Sequence, residues 1–250
     1  MRKFALLSIS ALLFSAFAYG ATLPCNGGPG SPSTFNLPCY FYGGDFDAND
    51  PNANALANEN DAIVGGNPYG AATYQNFVWK GGNTPVLGLF TNNLSQLTPA
   101  SGYWEIRSGV SEGNGGQLIA SGTETGANFL QTATGRGLFG YAEYTDAVKF
   151  TNPLTLANGT YWFAMVPVCP NCNGRSFNTN TEGANGIGTQ NGDQQYFNSP
   201  FFGANFTNAS NEGMFHIFSS GVLAVPEPSS LVMLGTGLLA AAGAVRRRLL

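Results

Sequence analysis

The chain is poor in the groups that carry out most chemistry. It has one histidine, His216, and ten lysines and arginines in 250 residues. A site needing two histidines cannot be built, and a Ser-His-Asp relay has only His216 to draw on. No Gly-x-Ser-x-Gly elbow, His-Glu-x-x-His pair or phosphate-cradling glycine loop occurs. His216 sits in the aromatic stretch Met214 to Ser219 and reads as a packed residue. Charged residues make up only 10% of the chain, so no basic patch offers itself to nucleic acid or anionic lipid. Apolar runs of membrane-spanning length are absent from the interior of the sequence and are approached only at its two ends.

At the start, Arg2 and Lys3 precede the apolar stretch Phe4 to Ala18. Ala18-Tyr19-Gly20 then supplies small residues where a signal peptidase reads. Residues 1–20 are therefore expected to be a signal peptide, with Ala21 as the mature N-terminus. At the other end, Pro226-Glu227-Pro228 leads into Leu231 to Val245 and then Arg246, Arg247 and Arg248. Fifteen helical residues span roughly 22 Å against a hydrocarbon core of about 30 Å, so flanking serines and arginine complete the crossing. The prolines stop the helix from extending backwards. The arginines stay in the cytoplasm under the positive-inside rule, which puts the body of the protein outside.

The three-part order of Val225-Pro226-Glu227-Pro228, apolar run and arginine cluster resembles the PEP-CTERM sorting signal of Gram-negative bacteria. The resemblance covers 225–250. It implies an exosortase as partner, cleavage near the Pro-Glu-Pro motif, and passage from the inner membrane to the envelope, surface or extracellular matrix. In that reading Val225 to Pro228 are features recognised by the sorting enzyme, and Arg246 to Arg248 are the membrane stop.

Between the ends, residues 21–224 form the expected ectodomain. Its bases are Lys80, Arg107, Arg136, Lys149 and Arg175, against thirteen acids, a net charge of −8. The four cysteines suit an oxidising compartment and allow three pairings. Cys25–Cys39 and Cys169–Cys172 are favoured. A four-thiolate zinc site fits the Cys25/Cys39 spacing poorly, and a redox role for Cys169-Pro-Asn-Cys172 needs a helix that Asn173-Gly174 does not begin.

Gly, Asn, Thr, Phe and Tyr dominate the body, and turn signals recur between short β-branched and aromatic runs. Strands are predicted at Thr73–Lys80, Val86–Phe90, Tyr103–Ser108, Gln117–Ser121, Phe139–Tyr144, Ala147–Phe150, Thr160–Val166 and Met214–Ser219. A helical turn is predicted at Asn54–Asn58, a hairpin at Asn158-Gly159 and a long loop from Cys169 to Asp193. The predicted fold is all-β, an antiparallel β-sandwich of jelly-roll-like connectivity. Trp104 and Trp162 are expected in its core. Trp79, beside Lys80 at a strand end, is the candidate for an exposed ring on which a glycan could stack.

The acidic segment is the candidate metal site. Asp45, Asp47, Asn49 and Asp50 offer the closely spaced oxygens that calcium takes. Asp50-Pro51 stands where an EF-hand loop needs glycine, so a sandwich-loop site is meant, and the other reading is a turn whose Asx side chains cap their own backbone. Glu105 and Glu143 are the only pair in predicted strands that could serve a glycosidase. The function expected is a non-enzymatic, exported structural or adhesive protein. A calcium-assisted carbohydrate-binding module, with polysaccharide as partner, is the alternative, and a glycoside hydrolase the third.

Overall fold

The computed structural model describes Cys25 and residues 35–60, 70–170, 172, 174–212 and 217–224. The expected signal peptide, Val225 to Pro228, the Leu231–Val245 helix, Arg246 to Arg248, Asp61 and His216 lie outside the described residues. Leu23–Val225 forms one compact unit. Among the described residues no helix is long and apolar enough to cross a membrane.

The described chain is all-β. In order, the strands are β1 (Cys39–Tyr42), β2 (Ala55–Ala57), β3 (Ala72–Trp79), β4 (Pro85–Ser95), β5 (Ser101–Ser108), β6 (Gln117–Thr125), β7 (Phe129–Leu138), β8 (Tyr141–Thr155), β9 (Gly159–Val168), β10 (Ser176–Thr179), β11 (Tyr196–Ser199), β12 (Ala204–Asn208) and β13 (Ser220–Ala224). One sheet runs β12-β11-β3-β9-β5-β6. The other is centred on β4. One edge of β4 carries β8 and then β7. Its other edge is shared end to end by β13, which continues to β1, and β10, which continues to β2. All these strand pairs are antiparallel. The set β1-β13-β4-β8 lies against β3-β9-β5-β6, and the chain crosses between them repeatedly, the nested wiring of a jelly roll.

Side chains alternate across each strand, so the strands of these two facing sets each turn one face into the gap between the sheets. Phe77 and Trp79 of β3, Val86 and Leu89 of β4, Trp104 and Ile106 of β5, Val148 and Phe150 of β8, and Phe163 and Met165 of β9 meet there in one cluster. The same gap turns polar towards the opposite end. There Thr73, Gln75, Thr91, Asn93, Asp146, Asn178 and Ser220 take the inward positions, all buried. Most of their polar atoms are paired. Asn178 Nδ2 donates to Thr73 Oγ1 at 2.8 Å and to Ser220 Oγ at 2.9 Å, and Asn58 Nδ2 donates to Asn93 Oδ1 at 3.0 Å, while Asn178 Oδ1 is left without a hydrogen-bond partner. Pairing of this kind is what makes so polar an interior tolerable.

Several expectations need correction. Asn54–Asn58 is not a helical turn, because Ala55–Ala57 pairs with Phe177–Thr179 as a strand. Phe139–Tyr144 and Ala147–Phe150 are not two strands; from Tyr141 the chain runs as one strand to Thr155, held along its length by β4. Asn158-Gly159 does not close a hairpin. It carries the chain from β8 in one sheet to β9 in the other, and β9 pairs with β3 and β5. Asn158 Oδ1 fixes this crossing by accepting from the Gly82 N–H at 3.0 Å. The loop after Cys169 contains β10, and β7, β11 and β12 had no clear alternation to announce them. The last strand among the described residues is Ser220–Ala224; of the predicted Met214–Ser219, residues 217–219 precede it outside any strand and 214–216 lie outside the described residues.

Both favoured disulfides form, Cys25–Cys39 and Cys169–Cys172. Cys25 packs beside Tyr42, Phe90, Ala147 and Leu223, on the outer face of the β4 sheet.

Candidate functional site

The acidic segment follows β1 and passes over the outer face of the β4 sheet. Its first carboxylate is drawn into the protein. Asp45 Oδ1 accepts from the Tyr42 hydroxyl at 2.7 Å and lies 3.2 Å from Arg136 Nη1, and Oδ2 accepts from Asn185 Nδ2 at 2.7 Å. Arg136 also donates from Nε to Glu143 Oε2 at 2.5 Å. Glu143 is fully buried and accepts from the Thr134 and Thr179 hydroxyls as well. Burial works against the Arg136 charge, but Glu143 together with Tyr42 and Asp45 outweighs this and raises the guanidinium pKa. Burial, then the Asp45 charge, pushes the Tyr42 phenol well above its ordinary range.

The other acids of the segment turn away from this cluster. Asp47 Oδ1 accepts from the Asn49 backbone N–H at 2.9 Å and from Asn49 Nδ2 at 3.2 Å. Asp50 Oδ1 accepts from the Asn52 N–H at 2.8 Å. These are Asx turns, the second of the two sequence readings. Among the described residues no three His, Cys, Asp or Glu side chains are placed to hold a metal ion together. Beside the segment, Tyr42, Gly43, Gly183, Gly186, Ile187 and Gln190 line an open cleft of about 180 Å³. That is smaller than the roughly 300–1,000 Å³ of typical small-molecule sites.

Trp79 is not an exposed platform. It is fully buried, and its Nε1 donates to the Leu156 carbonyl at 3.2 Å. Its ring centroid lies 4.2 Å from that of Tyr40 and 6.4 Å from that of Phe77. The residue ends its strand, but strand alternation turns it into the gap between the sheets, where Leu156 and Tyr40 close over it. Trp104 is buried as expected, stacked on Phe150 at 3.9 Å. Trp162 is buried too, but on the outer face of the β3 sheet, where it packs with Tyr74, Tyr196 and Phe206 and donates to the Gln194 carbonyl at 2.7 Å.

The exposed aromatics are others. Phe139, at 67% exposed, tips the β7–β8 hairpin, and Phe201 and Phe202, at 53% and 50%, occupy the β11–β12 turn. Arg175 lies over the rings of Phe177 and Phe202, at 5.0 Å and 5.9 Å, while its Nε bonds Glu59 at 2.7 Å. The one sequence cue was Phe201-Phe202 directly after Pro200, a turn holding two large apolar residues.

Glu105 and Glu143 do not meet. Glu105 accepts from Tyr74, Tyr103 and Arg107 on the outer face of the β3 sheet, and Glu143 is on the outer face of the β4 sheet. Two sheets separate them, whereas glycosidase carboxyls stand about 5–9.5 Å apart. A third acid went unnoticed. Asp146 is fully buried between the sheets, where Asn93 Nδ2 and Gln131 Nε2 donate to it at 2.8 Å and 2.9 Å. Burial raises its pKa to about 7, the two amide donors opposing only in part. Its inward position, two before Val148, was legible only once the face of β8 was known.

No curated protein and no solved structure matches this chain. The comparison with protein families finds one match, and it falls where β13 ends and the chain continues into the Pro-Glu-Pro segment: residues 224–248, which include Val225 to Pro228 and Arg246 to Arg248, match the PEP-CTERM protein-sorting motif.

Proposed function

We propose that this is an exported surface or extracellular-matrix protein with a non-enzymatic, structural or adhesive role, its β-sandwich delivered by exosortase sorting. The match of residues 224–248 to the sorting motif carries this reading. The sorting enzyme cuts near Pro226 to Pro228. Until then, Leu231 to Val245 holds the chain in the inner membrane, with Arg246 to Arg248 on the cytoplasmic side. The ectodomain then passes to the envelope, surface or matrix. In the native host, Pro226→Ala/Glu227→Ala/Pro228→Ala should leave uncleaved precursor in the membrane fraction, while the wild type appears as the shorter, sorted form. Equal processing of the two would remove the motif from the sorting step.

The exposed rings of Phe139, Phe201 and Phe202 favour a second reading, a carbohydrate-binding module. Calcium in that reading is held by Asp45, Asp47, Asn49 and Asp50, and it has to compete with Arg136 for Asp45. Calcium should then raise the melting temperature, and Asp45→Asn/Asp47→Asn should abolish the rise. A rise unchanged in the variant would place the ion elsewhere.

A further inference from the structure

The β3 sheet ends at β6, whose outer edge has no partner strand among the described residues. Open edges present unpaired backbone groups, and proteins normally blunt them with lysine, proline, bulges or brevity. The other edges here follow that rule. β12 has five residues, β1 four and β2 three. β7 shifts register between Ala133 and Gly137 and carries Arg136.

β6 is built differently. It has nine residues and one charged side chain, Glu124, which is buried and accepts from the Thr151 N–H and hydroxyl at 3.0 Å and 2.7 Å. Gly113 to Thr123 contains no charge at all. Its one irregularity lies at Ile119, where Ile106 pairs with Ala120 but Arg107 with Leu118. That bulge leaves two neighbouring apolar side chains on the surface, Leu118 at 45% and Ile119 at 36% exposed. From Ala120 to Thr125 the strand is regular, paired residue for residue with Ser101–Ile106.

We propose that this edge pairs with the same edge of a second copy of the chain, joining two six-stranded sheets into one. The charge pattern selects this occupant. A two-fold contact sets the same strip of both copies together, so a strip charged with one sign would repel itself. β6 is a neutral strip on an ectodomain whose thirteen acids face five bases. A polyanion is repelled by that surface, and a basic partner is drawn to its acids rather than to this strip. A two-fold axis normal to the sheet also makes the pairing antiparallel, as in every other strand pair of both sheets. Six regular residues span about 20 Å, which makes a weak contact that gains from crowding at a surface.

The test compares the full-length protein in detergent micelles with Ser121→Lys/Thr123→Lys. Both positions are exposed, so the variant should fold and keep the wild-type melting temperature. Sedimentation should show wild-type dimer forming by about 100 µM and a dimer dissociation constant at least about tenfold higher in the lysine variant. Thr123→Cys should cross-link between copies with a short bis-maleimide, and Thr207→Cys on β12 should not. A wild type that stays monomeric would overturn the proposal. So would a dimer that survives the lysines, or equal cross-linking at both cysteines, since either means that the copies meet elsewhere.

Discussion

Raising the pH from 5 to 8 lowers the melting temperature of this protein, and Asp146→Asn flattens the slope. The Asp146 carboxyl ionises near 3.8 when the chain is unfolded and near 7 when folded, because burial between the sheets penalises its charge. Between those values the unfolded chain has given up a proton that the folded chain still holds. Stability must therefore fall as pH rises through this window and level off above about 7. Roughly three pKa units correspond to about 4 kcal/mol as an upper limit. In a domain of this size that is on the order of 10 °C in melting temperature. Asparagine cannot titrate, so the slope should vanish, although its amide meets the donors of Asn93 or Gln131 and costs about 1 kcal/mol at every pH. An ordinary histidine titrates in the same range, so the comparison belongs in a His216→Gln background. Parallel slopes with and without Asp146 would show that its carboxyl is charged in the fold, or that the amides compensate for burial in full.

Trp79→Ala should cost about 3–5 kcal/mol in urea unfolding, among the largest losses for any single side chain here. The indole fills the apolar end of the gap between the sheets against Tyr40 and Phe77, and Gly81 lies flat on its ring. The Leu156 carbonyl that accepts from Nε1 would lose its partner as well. Trp79→Phe keeps part of the packing and should cost less than the alanine. An exposed platform residue would change stability by no more than about 0.5 kcal/mol, and that result would restore Trp79 to the surface.

These two residues show where reading the sequence stops. Within Tyr103–Ser108, period-2 alternation puts Tyr103, Glu105 and Arg107 opposite Trp104 and Ile106, and the fold keeps that division. Alternation does not say which of two faces is buried. Trp79 ends its strand beside a lysine and a glycine pair, so the sequence makes it look exposed, but Leu156 and Tyr40 close over it. Asp146 sat unremarked among Thr145, Ala147 and Val148 for the same reason. The acidic segment offers calcium-like oxygen spacing because that spacing is local. The guanidinium that faces Asp45 comes from Arg136, ninety-one residues further on, and only the pairing of β7 with β8, and of β8 with β4, brings it there.

Asn158-Gly159 makes the same point for topology. Its turn chemistry is local and sound, but a turn does not record whether its flanking strands share a sheet. Here their apolar faces fill the gap from opposite sides, so the chain must cross.

What the sequence determined by itself is therefore what acts along the chain or over short separations. The sorting motif is recognised as a linear segment, the strands with clear alternation such as β3, β5 and β9 declare themselves, and the disulfides join cysteines only fourteen and three positions apart. Tertiary structure alone decided which face of each strand is inside, which acid meets which base and which edge stays open. Each of those depends on a partner brought from far along the chain, whose identity no local pattern encodes.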